Sequence, residues 1–302
     1  MKKAIGIDLG GTEVLGGIID LDGNIIKIAR RSNSFSSGRE ETLDLIRQVI
    51  DELIEEGVIG IGIGSPGFID SRQGKVLQVG GNIEGWANTN ISERLKEVYR
   101  EYPIFIENDA NLAAVCEGWI GAAENFQNFL MLTIGTGVGG AVFLENYGVL
   151  KGANYQGAEF GHTILYPSGR ACNCGQAGCA EKYISGRAIE EIYEELSGKP
   201  KSGRDIFKNQ NDKIARKVVE DFTKNLAVFL VTLKNIFDPE AIIIGGGVIN
   251  SKKYWWNNFI INYKNLSNEP ESMYIEPANF LNDSGMIGAG KLVFDKLLKK
   301  NF

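Results

Sequence analysis

The same strand–turn–strand pattern occurs twice in this chain, at residues 4–19 and again at residues 128–145. Each copy has a short apolar strand, a tight turn of glycine and threonine, and a second apolar strand. One such unit in each half of the chain predicts a duplicated architecture. The turn residues are Gly10, Gly11 and Thr12 in the first copy and Gly135, Thr136 and Gly137 in the second.

Turns of this composition suit phosphate binding. Glycine has no Cβ atom, so the backbone N–H groups of such a turn can approach a phosphate closely. The pair predicts two phosphate-holding turns that face each other across a cleft, although either turn alone is as consistent with an ordinary glycine hairpin. Asp8, at the end of the first strand, can hold a magnesium ion through water.

The stretch Gly157–Lys182 contains the only histidine of the chain and three of its four cysteines. Three thiolates and one imidazole complete a tetrahedral zinc shell, and a shell with no open position is structural rather than catalytic. Glycines in the loop allow the chain to turn back so that all four donors can meet. The predicted ligands are His162, Cys172, Cys174 and Cys179.

Three alternative roles for these cysteines remain open. Disulfides would need an oxidising compartment, which nothing in the sequence indicates. Buried reduced thiols are possible, although three in one glycine-rich loop make a poor core. A zinc knuckle for nucleic acid would need a cluster of basic and aromatic neighbours, and this stretch has few of either. Structural zinc is the favoured prediction.

A carboxylate stands where an apolar strand over 103–106 gives way to a helix, in the sequence Glu107-Asn108-Asp109. Asp at such a turn commonly caps the helix. It also lies at the mouth of an α/β cleft, where ligands bind, so Asp109 is a candidate general base. The two roles can coexist.

The patterns E-x-G-H and C-x-C-G-x-x-G-C-x-E, both within Glu159–Glu181, resemble the signature of the ROK family. That family comprises sugar kinases, among them glucokinases, fructokinases and N-acetylmannosamine kinases, together with sugar-responsive repressors. The first glycine turn, the Asn-Asp pair and a glycine run at 245–247 extend the resemblance over nearly the whole chain. Glu13 departs from it, because family members often carry lysine or asparagine there.

The resemblance implies an actin-like α/β fold of the ribonuclease H and hexokinase type, with two domains of mixed sheets flanked by helices. We expect a smaller domain at 1–120 with 286–302, and a larger one at 121–285 that carries the zinc loop. It also implies that ATP and a sugar meet in the cleft, with Mg²⁺ near Asp8.

The resemblance further assigns roles to single residues. Asp109 would accept the proton of the attacking hydroxyl, and the two turns would hold the phosphates. The run Gly245, Gly246 and Gly247 would lie against adenosine, although the residues alone favour a strand-to-helix turn. The segment from Asn82 to Trp86 would border the sugar, although the residues alone favour a surface hairpin. The implied sugar-binding residues are Gly67, Asn82, Asn108, Asp109, Glu159, His162 and Glu181.

Length and charge restrict the class of protein. A chain of 302 residues can hold two ordinary domains. A net charge of −6 argues against nucleic acid or an anionic membrane as the main partner. No apolar run in the sequence approaches the ~20 residues of a membrane span, and a signal peptide is not indicated, so we expect a cytoplasmic protein.

The leading expectation is therefore an ATP-dependent hexose kinase with glucose as substrate. N-acetylmannosamine and fructose are the nearest alternatives. A sugar-sensing regulator without catalysis is the alternative of another class, disfavoured because the chain begins at the first strand and is acidic. A homodimer is expected from the resemblance alone.

Overall fold

The computed structural model describes residues 1–11, 13–33, 38–78, 83–209 and 211–298. The chain forms two compact units. The first unit contains Met1–Glu124, Lys151–Gly157 and Asn282–Phe302, and the second contains Asn125–Leu150 and Ala158–Leu281. The domain bounds expected from the sequence stay a prediction. No helix within the described ranges is long and apolar enough to cross a membrane.

The first unit is built on a five-stranded mixed sheet in the order β3-β2-β1-β4-β7, with a small β5-β6 hairpin beside it. Its strands are β1 Lys3–Leu9, β2 Glu13–Ile19, β3 Ile25–Ser32, β4 Val58–Ser65, β5 Phe68–Asp70, β6 Lys75–Gln78 and β7 Ile104–Asn108, and its helices up to this point are α1 Arg39–Leu53, α2 Ile91–Lys96 and α3 Asp109–Ile120.

Three parallel strands of this sheet end at the same edge. β4 pairs in parallel with β1 on one side and with β7 on the other. Their carboxyl ends therefore bring together the neighbourhoods of Asp8, Ser65 and Asn108, which are distant in sequence.

The second unit repeats this plan with the strand order β10-β9-β8-β11-β12. Its strands are β8 Asn128–Ile134, β9 Val138–Leu144, β10 Gly148–Val149, β11 Ala241–Gly245 and β12 Tyr274–Pro277, and its helices are α4 Glu181–Ile184, α5 Gly186–Ser197, α6 Gly203–Lys208, α7 Lys213–Phe237 and α8 Trp256–Leu266. Short 3-10 helices lie at Phe160–His162, Gly247–Tyr254, Pro270–Ser272 and Leu281–Asp283.

The last helix, α9 at Ser284–Leu297, returns to the first unit. It lies against the sheet at two glycines. A Cβ atom on Gly6 would come within 2.0 Å of the Met286 carbonyl oxygen, and one on Gly62 within 2.0 Å of the Ala289 carbonyl oxygen. The alternation of glycine and isoleucine in β4 thus leaves room for a helix backbone at the sheet surface.

Two helices differ from their sequence-based predictions. The apolar spacing predicts a helix over 91–102, but α2 ends at Lys96. It also predicts one helix over 181–196, whereas the structure has α4 and α5 in its place. The break falls at Ser185, whose Oγ accepts a 3.0 Å hydrogen bond from the Ala188 N–H and caps α5.

Candidate functional site

Asp109 is the first residue of α3, at the carboxyl end of β7. The expectation that Asp109 caps this helix is wrong, because Asn108 does so. The Asn108 Oδ1 accepts hydrogen bonds of 2.9 and 3.2 Å from the N–H groups of Ala110 and Asn111. The Asn108 amide also donates to the Gly67 carbonyl oxygen at 3.1 Å, which links two predicted sugar-binding residues. The Asp109 Oδ1 also accepts from the Ala110 N–H, at 2.8 Å, but Asn108 is the residue in the capping position.

The environment of Asp109 favours a proton acceptor. Burial raises the pKa of Asp109, while hydrogen bonds from the Ala110 and Asp109 backbone N–H groups and from Asn108 oppose that rise. A half-buried carboxylate whose pKa lies above its ordinary value is a better base than an exposed one. The arrangement can therefore accept a proton from a hydroxyl group.

Asp8 lies in the same unit at the end of β1, and its pKa is also raised. Burial, and then the negative charges of Asp109 and Glu13, raise its pKa to about 7. A Cβ atom on Gly285 of α9 would come within 2.6 Å of the Asp8 carboxyl carbon, so only glycine fits beside it. Crowded carboxylates of this kind are relieved by a divalent cation, and oxygen donors are the ligands Mg²⁺ prefers. The donor set therefore fits magnesium.

The first glycine turn comes immediately after β1, the strand that ends near Asp8. The Gly10 N–H donates to the Glu13 carbonyl oxygen at 2.9 Å and closes the link between β1 and β2. Gly11 continues this turn. Thr12, like Asn82, lies outside the described residues.

In the second unit the two predicted glycine segments are neighbours. β8 and β11 pair in parallel, so the turn at Gly135–Gly137 and the run at 245–247 leave the same edge of the sheet. A Cβ atom built on Gly135 would lie 4.0 Å from the Gly247 nitrogen. Gly246 has φ +83°, and a Cβ atom there would meet the Ile134 carbonyl oxygen at 2.5 Å. The close approach of the two segments thus requires glycine.

Glu181 is held against the second turn. Its Oε2 accepts a 2.8 Å hydrogen bond from the Val138 N–H, the residue that follows Gly137. A Cβ atom on Gly137 would come within 2.5 Å of the same oxygen. The Gly186 N–H donates to the Gly135 carbonyl oxygen at 2.8 Å, which anchors the other side of the turn.

The four predicted zinc ligands come together. Their donor atoms all lie within 4.8 Å of one another. The His162 Nδ1 is 3.8 Å from the Cys172 Sγ, and the Sγ atoms of Cys174 and Cys179 are 3.6 Å apart. A tetrahedral zinc ion with ordinary bond lengths places neighbouring donors about 3.6–3.8 Å apart, so the set fits that ion. These cysteines form no disulfide in the structure.

The 3-10 helix that carries His162 also lies on the second turn. A Cβ atom on Gly161 would come within 2.3 Å of the Val138 carbonyl oxygen. Glu159 precedes this helix and is exposed, and its carbonyl oxygen accepts from the His162 N–H at 3.1 Å. The loop with the predicted metal ligands and the predicted phosphate turn are thus in direct contact.

Sequence reasoning missed a network behind Asn108. The buried Glu107 accepts hydrogen bonds from the Asn108 N–H and the Asn111 side chain, both at 3.0 Å. Its other oxygen lies 2.6 Å from the Lys151 Nζ. A carboxylate directly after an apolar strand was the available signal. Trp86 was also misplaced, because it is fully buried and donates to the Ser65 Oγ at 3.0 Å instead of lying in a surface hairpin.

Known proteins resemble this chain over most of its length. Residues 4–296 match the ROK family. The chain is 30% identical to a glucokinase of Thermotoga maritima, over 98% of both chains. It is 30% identical to the xylose repressor of Bacillus subtilis, over 98% of this chain and 79% of the repressor. It is 31% identical to a beta-glucoside kinase of Klebsiella pneumoniae, over 95% of this chain and 94% of that one.

Solved structures of ROK family proteins also resemble this chain. The ROK hexokinase of Thermus thermophilus superposes with a TM-score of 0.85 at 31% identity, over 99% of this chain and 100% of that one. A ROK family glucokinase of Streptomyces griseus, solved with glucose and AMPPNP, gives a TM-score of 0.83 at 27% identity, over 96% and 98% of the two chains.

The fold and these likenesses define a sugar kinase, and they confirm the predicted actin-like α/β fold. The chain belongs to the ROK family.

Proposed function

We propose that this sugar kinase transfers the γ-phosphate of ATP to a hexose hydroxyl, and that its preferred substrate is glucose, which becomes glucose 6-phosphate. The observation that carries the proposal is the place of Asp109, a half-buried carboxylate of raised pKa at the start of α3. The glucokinases among the relatives support glucose as the sugar.

Asp109 accepts the proton of the attacking hydroxyl. Proton transfer by a positioned carboxylate contributes about 10²–10⁴-fold to a rate. An amide carries two N–H donors. The Asn108 amide donates one to Gly67 and also hydrogen-bonds to Asp109, so this side chain is held beside the base, where a sugar hydroxyl would meet it. Gly67, Asn82, Glu159, His162 and Glu181 complete the proposed sugar contacts.

The glycine turns bind the nucleotide. Gly10, Gly11 and Thr12 in one unit and Gly135, Thr136 and Gly137 in the other hold phosphate oxygens through backbone N–H groups, and the run Gly245–Gly247 lies against adenosine. Mg²⁺, held near Asp8, would shield the negative charge of the phosphate oxygens. Positioning and charge stabilisation supply most of the catalysis in phosphoryl transfer.

A structural Zn²⁺ held by His162, Cys172, Cys174 and Cys179 would keep the sugar loop rigid. The His162 Nδ1 faces Cys172, so the Nε2 is left for a sugar hydroxyl. The contact of Gly161 with Val138 then fixes this loop relative to the second turn.

The test is a coupled ADP-release assay with glucose, fructose, N-acetylmannosamine and a β-glucoside. We expect the highest kcat/KM with glucose. A higher value with another sugar would contradict the substrate, not the class. Sugar binding without ADP release from any of the four would favour the second candidate, a sugar-sensing regulator, which is suggested by the likeness to a xylose repressor.

We further propose a cytoplasmic homodimer, on the basis of the family resemblance alone. Light scattering after size-exclusion chromatography at micromolar concentration should give twice the chain mass of 33.1 kDa. A single-chain mass would refute the dimer.

A further inference from the structure

Glu107 is a buried carboxylate beside the proposed base. Its side chain is 3% exposed. One oxygen, Oε1, accepts from the Asn108 N–H and from the Asn111 Nδ2, so it braces the residue before Asp109 and the first turn of α3. The orientation of the Glu107–Asn108 peptide, which leads into Asp109, therefore depends on where this carboxylate is held.

The other oxygen of Glu107 is held by Lys151. The Lys151 Nζ lies 2.6 Å from the Glu107 Oε2 and donates to the Ser71 Oγ at 2.5 Å. In the described part of the chain, Lys151 is the cation paired with Glu107. A buried charge without a partner is strongly unfavourable, so loss of this lysine would force Glu107 to move.

Lys151 reaches this place on a short segment, residues 151–157, which we call the strap. The strap belongs to the first unit, although the chain before Lys151 and after Gly157 belongs to the second. It is closed by a 2.9 Å hydrogen bond from the Gly157 N–H to the Lys151 carbonyl oxygen. Tyr155 has φ +56° and hydrogen-bonds to Asp70. A positive φ is energetically costly for a residue other than glycine. Tyr155 therefore adopts this conformation because its surroundings, including the bond to Asp70, impose it.

We propose that Lys151 is a positioning residue for Asp109. It neutralises Glu107 in the geometry that orients Asn108, and through Asn108 it sets the direction of the Asp109 carboxylate. This inference rests on the proposed function, because it presumes that Asp109 is the base. A merely structural ion pair would change stability and leave the chemical step alone.

The first test compares kcat and KM for Lys151→Met and Lys151→Arg. We expect Lys151→Met to lower kcat about 10–100-fold, with a much smaller change in the KM for sugar, because small misplacements of a reacting group have costs of this size. Lys151→Arg keeps the cation and should restore most of kcat. Normal kcat in Lys151→Met, or equal loss in both variants, would overturn the proposal.

The second test uses Glu107→Gln. Glutamine keeps an acceptor for Asn108 and Asn111 but carries no charge to neutralise. Lys151→Met should therefore lower kcat less than about threefold in this background, against 10–100-fold in the native one. Equal losses in both backgrounds would overturn the proposal. So would a folded Glu107→Gln variant with less than a tenth of native kcat, since the charge of Glu107 would then be needed in its own right and not only neutralised by Lys151.

Two controls separate the possible failures. Lys3→Met removes another ion pair of the first unit, in which the Lys3 Nζ lies 2.5 Å from a half-exposed Glu55, and should leave kcat unchanged. Asp109→Asn tests the base itself. Near-native activity in Asp109→Asn would refute Asp109 as the base of the proposed function, whereas loss there with normal kcat in Lys151→Met would refute only the positioning role. If Lys151→Met does not fold, the comparison runs between Glu107→Gln and the double variant.

Discussion

The Glu181 carboxylate accepts a hydrogen bond of 2.8 Å from the backbone N–H of Val138. Val138 follows the turn expected to hold phosphate, and Glu181 follows the proposed metal ligand Cys179 along the chain. Gly161 meets the carbonyl side of the same residue. Within the second unit, the turn predicted to bind nucleotide and the loop predicted to bind sugar are therefore joined at Val138.

Glu181→Ala should consequently weaken both ligands. Removal of the acceptor frees the Val138 N–H and loosens the turn, so we expect the KM for ATP to rise about tenfold together with that for sugar, which corresponds to ~1.4 kcal/mol each. Glu181→Gln keeps an acceptor for Val138 and should raise the KM for sugar alone. An unchanged KM for ATP in Glu181→Ala would show that the turn does not depend on this bond.

Asp109→Asn should abolish phosphorylation while sugar binding survives. The asparagine Oδ1 can still accept from the Ala110 N–H, which Asp109 does at 2.8 Å, so the local geometry is kept. Loss of a general base lowers kcat by about 10²–10⁴-fold. ADP release measures the rate, and calorimetric titration with glucose measures binding. Near-native turnover would remove Asp109 from the mechanism.

Removal of zinc should destroy sugar affinity. We expect elemental analysis to find one zinc ion per chain, and Cys174→Ser or a strong chelator to release it together with the measurable affinity for glucose. Cys116→Ala is the matched control, because Cys116 is buried and lies outside the cluster. Fully active protein without zinc would contradict the metal assignment.

Two neighbouring glycines should respond differently to alanine. Gly246 has φ +83° and would clash with the Ile134 carbonyl oxygen, so Gly246→Ala should lower the free energy of unfolding by about 2 kcal/mol. A Cβ atom on Gly247 meets nothing within 4 Å. Gly247→Ala should therefore fold normally and raise only the KM for ATP, if this run lies against adenosine. Urea unfolding and steady-state kinetics separate the two effects, and equal destabilisation would contradict the geometry.

Asp8 should make the magnesium-free protein sensitive to pH. Its pKa is raised from 3.8 to about 7, chiefly by burial, so the folded state holds the proton more tightly than the unfolded chain. Its contribution to stability is full below pH 4 and is lost as the pH rises through 7. At pH 8 without magnesium, Asp8→Asn should unfold with a free energy higher by on the order of 4 kcal/mol, an advantage absent at pH 4.

Magnesium should reduce that advantage, because a cation compensates the ionised carboxylate. Asp22→Asn is the control, since Asp22 is exposed in a turn. Asp8→Asn should also be inactive if Asp8 holds the metal. A constant difference between the native protein and Asp8→Asn from pH 4 to 8 would show that Asp8 is not strained in the folded state.

Much of the candidate site could be predicted from residue types and their spacing in the sequence. The soft donors between His162 and Cys179, and the glycines of both turns, are rare enough in such groupings that their chemistry leaves few alternatives. The strands around them follow from apolar periodicity, and β1, β2, β8 and β9 lie within a residue of their predicted bounds. Sites of this kind can be predicted from a short stretch of sequence, because their residues are close in space as well as in sequence.

The contacts that orient the site could not be read in this way. The pair of Glu107 with Lys151, the bond of Glu181 to Val138 and the place of Gly285 beside Asp8 each join residues far apart in the chain. Strand pairing and helix packing determine which residues become partners. Sequence periodicity shows that a strand or helix forms, but it does not show which distant element packs against it. The amino-acid order thus specifies which groups can do chemistry. Folding specifies what each of them faces, since burial and the nearest charges exist only once distant segments have met.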